Sequence, residues 1–287
     1  MKNPLKNIVE LFPGLALFYR NSRDLLDQRQ KPRNTPWGFS LAGNDAMAEG
    51  SFEPEETKLV RSLLSNVDIL VNIGANVGYY CCHALSMGKQ VIAVEPNTRN
   101  IHYLLKNINE NGWSKSAEVF PVALGAGTDI LNMWGGGTGA SLIKGWANIP
   151  DSYLTQVPIL SLDRLLGETL GGKKALILVD IEGAELMMLQ GAKQTLKNEP
   201  KPIWLIEITT SQNQPEGTSI NPNFSNIFDL FFNLGYLAFT ADEAAIKITP
   251  KIVGEATRGK QIPGNHNYVF KQCQEQSQSK HTFQKLD

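Results

Sequence analysis

Apolar residues fall in short blocks separated by amphipathic stretches, and from Asp68 onward the alternation is regular. Ile69–Ile73, Gln90–Val94 and residues 119–122, 176–179 and 203–206 are short apolar runs. Residues 77–87 and 98–111 carry apolar positions at helical spacing, and a helical segment follows each later run as well. Strands alternating with helices of this length predict βαβ units and a parallel sheet. Residues 55–64 read as a helix ahead of the first strand, with Leu59, Val60, Leu63 and Leu64 inward. Between the third strand and Leu176 the pattern breaks into an irregular, glycine-rich insertion (126–156), with Gly135, Gly136, Gly137 and Gly139.

Upstream, Leu5, Ile8, Val9, Phe12, Leu15 and Ala16 recur at near-helical spacing. Residues 1–35 hold seven basic and three acidic residues. The expectation is a helix docked on the main domain, with a lid over that domain's binding site or weak peripheral membrane contact as functional readings. The division expected is an N-terminal helical extension at 1–55, a catalytic domain at 56–273 and a polar tail at 274–287. No run approaches the roughly 18 apolar residues of a membrane span. Glu10 and Pro13 interrupt the N-terminal apolar stretch, which argues against a secretory signal.

Composition narrows the function classes. In 287 residues, 27 Lys and Arg stand against 28 Asp and Glu. This balance lacks the basic surplus of a nucleic-acid binder. Three cysteines, two adjacent, form neither a disulfide framework nor metal-ligand spacing, and a cytoplasmic setting is expected.

The strongest local signal is Val71-Asn72-Ile73-Gly74-Ala75-Asn76-Val77-Gly78-Tyr79, a strand, a glycine turn and a helix start. Gly74 permits the tight turn and Gly78 close helix–sheet packing. A ligand's polar end is expected against the backbone N–H groups there. Glu95, before Pro96, closes the second strand 21 residues after Gly74. There its carboxylate can accept both hydroxyls of an adenosine ribose. A dinucleotide fingerprint needs small residues where the pyrophosphate approaches, and Asn76 occupies that place. This disfavours a nicotinamide-dependent dehydrogenase and leaves S-adenosylmethionine (SAM), which has no phosphate. Asp180 and Glu182 follow the fourth run and Glu207 ends the fifth, so three acids are expected on one rim. Glu185 reads as a solvated helix residue.

These blocks occur in a recognisable order. Ile73-Gly74-Ala75-Asn76-Val77-Gly78, Glu95-Pro96, Ala123-Leu124-Gly125, Ser161-Leu162-Asp163, Asp180-Ile181-Glu182-Gly183-Ala184-Glu185 and Asn267-Tyr268-Val269-Phe270 resemble the FkbM methyltransferase family. Gly50-Ser51-Phe52-Glu53-Pro54-Glu55-Glu56 resembles its lead-in, and the likeness runs over residues 40–271. It implies a doubly wound, mostly parallel seven-stranded class I fold, SAM as donor, and O-methylation of a sugar, glycan or secondary-metabolite hydroxyl. The expected cofactor set is Asn72, Gly74, Ala75, Asn76, Gly78, Tyr79, Glu95, Pro96, Ala123, Leu124, Ser141 and Asp180. The family usually has Asp where Asn72 stands, and often Lys where Leu178 stands. These two departures motivate the alternative of a non-catalytic SAM-binding or scaffold protein.

A hydroxyl acceptor needs a base. The candidates are Asp180, Glu182, Glu207 and His266, and a divalent metal on the three acids is the alternative to a base. His83, His102 and His281 read as helical or tail residues without a role. Trp134 and Trp146 flank the glycine-rich stretch of the insertion, either as stacking faces for a sugar ring or as the insertion's own core.

Overall fold

A computed structural model of the chain describes residues 30–260 and 266–272. The expected N-terminal helix therefore lies outside the described residues up to Arg29, as does the tail from Cys273. The described part opens with a hairpin, β1 (Arg33–Asn34) and β2 (Ser40–Leu41), then helices α1 (Asp45–Glu49) and α2 (Pro54–Leu64). The regular alternation follows as β3 (Ile69–Ile73), α3 (Tyr79–Ser86), β4 (Gln90–Val94), α4 (Thr98–Glu110) and β5 (Ala117–Phe120). Three strands come next, β6 (Ala123–Leu124), β7 (Asp129–Trp134) and β8 (Leu154–Leu160), then α5 (Leu162–Leu166), β9 (Ala175–Val179) and α6 (Glu185–Gln190). The chain continues with β10 (Ile203–Glu207), α7 (Phe224–Asn233), β11 (Tyr236–Thr240), β12 (Lys247–Ile248), α8 (Pro250–Ala256) and β13 (Asn267–Gln272).

The main sheet runs β12-β11-β13-β10-β9-β3-β4-β5. Neighbours from β10 to β5 are parallel, and β13 inserts antiparallel between β10 and β11. The seven expected strands are present, and two-residue β12 adds an edge. Strands β3 and β9 are buried throughout, because helices cover both faces of a parallel sheet. Side-chain alternation divides the core accordingly. Ile69, Val71 and Ile73 face α5 to α8, while Leu70, Leu176 and Leu178 face α2, α3 and α4. From β3 the chain winds outward to β5 and then returns to β9. The order thus reverses between β3 and β9, and a crevice opens at their carboxyl ends.

Two expectations need correction. The third strand stops at Phe120, short of Val122, because Pro121 has no N–H to continue the ladder. The insertion is not irregular: β6, β8 and β7 form a second sheet with its own small core of Ala123, Met133, Val157 and Ile159. β7 and β8 pair antiparallel from Asp129↔Ile159 to Trp134↔Leu154, so the glycines belong to the connection between them.

The N-terminal segment is pinned by asparagines of α4. Buried Asn107 accepts the Ala42 N–H (2.8 Å) and donates to the carbonyls of Ala42 (3.0 Å) and Val77 (2.8 Å). Asn111 makes the same paired contact with Ser40. In this stretch the expected helical extension is a hairpin and one short helix. Among the described residues, no helix is long and apolar enough to cross a membrane.

Candidate active site

A cavity of about 610 Å³, its open mouth included, lies at the carboxyl ends of β3, β4 and β9. Its floor is the turn after β3. Gly74 (φ 82°) and Gly78 (φ 89°) have left-handed backbones, which glycine adopts without a Cβ penalty. Every N–H of this turn already has an acceptor. Gly74 and Ala75 donate to the Val94 carbonyl (2.9 and 3.0 Å), Asn76 to Glu95 Oε2 (2.8 Å), Val77 to Asn76 Oδ1 (2.8 Å) and Gly78 to the Ala75 carbonyl (2.8 Å). The expected row of free amides for a ligand's polar end is therefore absent.

Glu95 closes β4 and is 4% exposed. Its oxygens accept the N–H groups of Asn76 and Asn97, each at 2.8 Å, and retain lone pairs toward the cavity. Burial pushes its pKa up to about 7, against the hydrogen bonds from Asn97, Asn76 and Asn100. Asn97 then caps α4. Asn100, one turn in, donates to the Gly137 carbonyl (2.9 Å), and its buried Oδ1 has no donor among the described residues. Val122, Leu124, Met133, Ala140 and Leu142 form an apolar wall on the side of the second sheet.

The opposite wall carries the acids. Asp180 follows β9 and opens on the cavity, with protein closing in its other sides. This crowding, and then the charges of Glu207, Glu182, Glu56 and Glu53, raises its pKa well above the carboxylate range. Glu182 has a left-handed backbone (φ 53°) and also lines the cavity. Its Oε2 accepts the indole N–H of Trp146 at 2.7 Å, and its carbonyl accepts the Ser141 hydroxyl at 2.5 Å. Glu207, half-buried at the end of β10, is not among the cavity-lining residues, so only two of the three expected rim acids face the cavity; burial, then Glu182 and Glu53, pushes it up to about 7. Glu185 is 3% exposed, not solvated; it accepts the Gly183 N–H (2.8 Å), and burial pushes it up to about 7.

The remaining expected residues divide between the cavity and other places. Asn72, Ala75, Gly78, Tyr79 and Ser141 are not among the cavity-lining residues. Asn72 faces α3, where its amide donates to Cys81 Sγ (3.4 Å) and its Oδ1 is unpartnered. Tyr79 is core, edge-on to Phe52, Tyr80 and His83. Pro96, Ala123 and Leu124 do line the cavity. His266 sits beyond the Glu207↔Asn267 pair, its carbonyl accepting the Ile208 N–H (2.7 Å). Desolvation lowers its pKa below the usual histidine value. Trp146 is 3% exposed, so its ring is not a free stacking face. Among the described residues no three His, Cys, Asp or Glu side chains converge to hold a metal ion.

The sequence reading missed a second layer of acids from α2 and the residue before it. Tyr80 donates to Glu53 Oε2 (3.1 Å), and Asn267 donates to Glu56 Oε2 (2.5 Å). Burial, then Glu53 and Glu207, pushes Glu56 up to about 8. The only available signal was their place in the Gly50-to-Glu56 lead-in.

Among the described residues, the lining thus joins three carboxylates (Glu95, Asp180, Glu182) to an apolar wall, without a Lys, Arg or His. Such a lining suits a cation with a flat apolar end and a vicinal diol. It opposes a pyrophosphate, which needs free N–H donors. The residues present therefore fit SAM: a diol acceptor in Glu95, an apolar face for adenine, and acids for a positive sulfonium.

A family model described as the methyltransferase FkbM domain matches residues 72–238. No curated protein matches the chain. Among solved structures, the chain is similar to the methyltransferase FkbM from Methylobacillus flagellatus KT, at 16% identity and a TM-score of 0.43. That alignment covers 79% of this chain and 55% of the other, so the chain spans about half of that relative's length. It is also similar to a SAM-dependent methyltransferase from Agrobacterium tumefaciens (11% identity, TM-score 0.43, 84% and 69% covered). A third is the precorrin-6y C5,15-methyltransferase from Geobacter metallireducens GS-15 (10% identity, TM-score 0.40, 83% and 97% covered).

Proposed function

The chain belongs to the FkbM methyltransferase family, whose methyl donor is SAM, and on that premise we propose that it methylates a hydroxyl of a saccharide or other polyhydroxylated metabolite. The observation that carries this reading is the cavity at the β3/β9 reversal, with acids on its walls and no basic side chain among the described residues that line it. Bound there, SAM supplies an already activated methyl group. Glu95 would hold the ribose diol, and the apolar wall of Val122, Leu124 and Met133 would take the adenine. Asp180 and Glu182 favour a cationic ligand over a neutral one. The acceptor hydroxyl must lose its proton during transfer, and a base works best when its pKa lies near the working pH. Glu207, pushed up to about 7, meets that condition. Asp180, on the acidic wall of the cavity, can hydrogen-bond the acceptor and orient it. The cavity is open rather than filled by side chains, which favours an enzyme over a scaffold.

Calorimetry with SAM, S-adenosylhomocysteine and NADH tests the cofactor, and tritiated SAM with a panel of sugars tests the transfer. Both adenosyl ligands should bind and NADH should not. Glu95→Gln should weaken S-adenosylhomocysteine by about 1–3 kcal/mol, the scale of a hydrogen bond to a charged group. Binding of NADH alone would overturn the reading. Methylation confined to nitrogen acceptors would overturn its hydroxyl part.

A further inference from the structure

Two hydrogen bonds from the second sheet's long connection converge on Glu182, and two further contacts fix the donors and the residue after it. The indole N–H of Trp146 reaches Glu182 Oε2 at 2.7 Å, and the Ser141 hydroxyl reaches its carbonyl at 2.5 Å. Ser141 Oγ in turn accepts the Ile143 N–H (2.9 Å), which fixes the loop that delivers both donors. The Trp146 ring packs on Gly183 so closely that a Cβ there would stand 2.5 Å from indole Cζ3. Glu182 is held with φ 53°, a left-handed backbone that strains a non-glycine residue. A surrounding that over-determines one residue's conformation marks that side chain as one whose place matters.

We propose that Trp146 is a positioning residue: its hydrogen bond holds the Glu182 carboxylate against the cavity wall, where Glu182 discriminates the cationic sulfonium donor from its neutral thioether product. The inference rests on the cavity being the SAM site. It assigns the insertion a role in expelling product. Loss of the methyl group removes the positive charge, and a carboxylate clamped in one position then loses the ligand charge that it favoured. A carboxylate free to swing into solvent would discriminate less, because water screens the pair.

The test compares affinities for SAM and S-adenosylhomocysteine by calorimetry on the full chain, as a ratio. Glu182→Gln, which keeps the shape and removes the charge, should lower the preference for SAM by about tenfold. Trp146→Phe should lower it by about threefold, because the carboxylate remains and only its anchoring is lost. If Trp146→Phe does not fold, benzothienylalanine at position 146 removes the N–H and keeps the bicyclic ring. In the Glu182→Gln background, loss of the N–H should change the ratio no further. A ratio that is unchanged on loss of the N–H, or that still falls without the Glu182 charge, overturns the inference alone. An unaltered protein that binds neither ligand overturns the SAM reading of the cavity, and this inference with it.

Discussion

Gly74 and Asp180 meet backbone to backbone: a Cβ added at Gly74 would stand 1.8 Å from the Asp180 carbonyl oxygen. The contact closes the switch point, where the Asp180 N–H also donates to the Ile73 carbonyl at 3.0 Å. No side-chain rotation relieves a clash between two main chains. Gly74→Ala should therefore cost at least ~3 kcal/mol, from overpacking and a strained φ together. Gly88→Ala is the control, since Gly88 has φ 73° with nothing within 4 Å. It should cost only ~1 kcal/mol, the left-handed penalty alone. Urea denaturation of both variants checks this, and equal losses would refute the contact's importance.

The ligand-free protein should lose stability as pH rises from about 6.5 to 8. Glu95, Glu185 and Glu207 are pushed up to about 7 and Glu56 to about 8, from an ordinary 4.5. Between those limits the folded chain binds more protons than the unfolded one, so unfolding becomes easier as protons are withdrawn. His83, pushed down to about 3, acts in the opposite sense, but only below its ordinary 6.5. Melting temperature followed across this window should fall without SAM, and the slope should flatten when the cation is bound. A melting temperature that climbs over the same range would contradict the burial of these acids.

Glu207→Gln should lower kcat by about 10²–10⁴-fold, the usual contribution of a positioned base. Affinity for S-adenosylhomocysteine should be little changed, since Glu207 is not part of the cavity lining. The rise of rate with pH near 7 should vanish with the carboxyl. If His266→Asn removes that limb instead and Glu207→Gln does not, the base has been misassigned.

Asn107→Leu should cost roughly 2–4 kcal/mol, because it leaves the Ala42 N–H and two carbonyls buried without partners. The loss should be local at first. Protease cleavage before Gly50 should accelerate while the far-ultraviolet circular dichroism of the main sheet persists. Simultaneous loss of both signals would show that the hairpin is integral to the core.

The parallel strands were legible because strands covered on both faces become unbroken apolar runs, as Ile69–Ile73 and Ala175–Val179 are. The place of Glu95 followed from the length of one strand–helix–strand unit. Pairing of β7 with β8 was hidden, because Ile130 (67% exposed) and Leu154 (50%) put apolar side chains on the outer face and blurred the alternation. The Glu53 and Glu56 layer was not legible either. Only the packing of α2 against α3 brings those acids beside Tyr80, at a separation in sequence that local pattern does not report. Tyr79 and Ser141 were misleading in a related way, since each lies close in sequence to cavity-lining residues while neither lines the cavity itself.

The saturated hydrogen bonding of the turn after β3 has a kinetic consequence. With every amide from Gly74 to Gly78 already engaged, this turn need not wait for a ligand to acquire its shape. A preformed floor spares the incoming molecule the entropy of ordering the backbone. Association should then be a single-step encounter whose observed rate rises linearly with ligand concentration, without a plateau from loop closure at this turn. Amide hydrogens there should exchange slowly in the free protein and gain little further protection when the cavity fills.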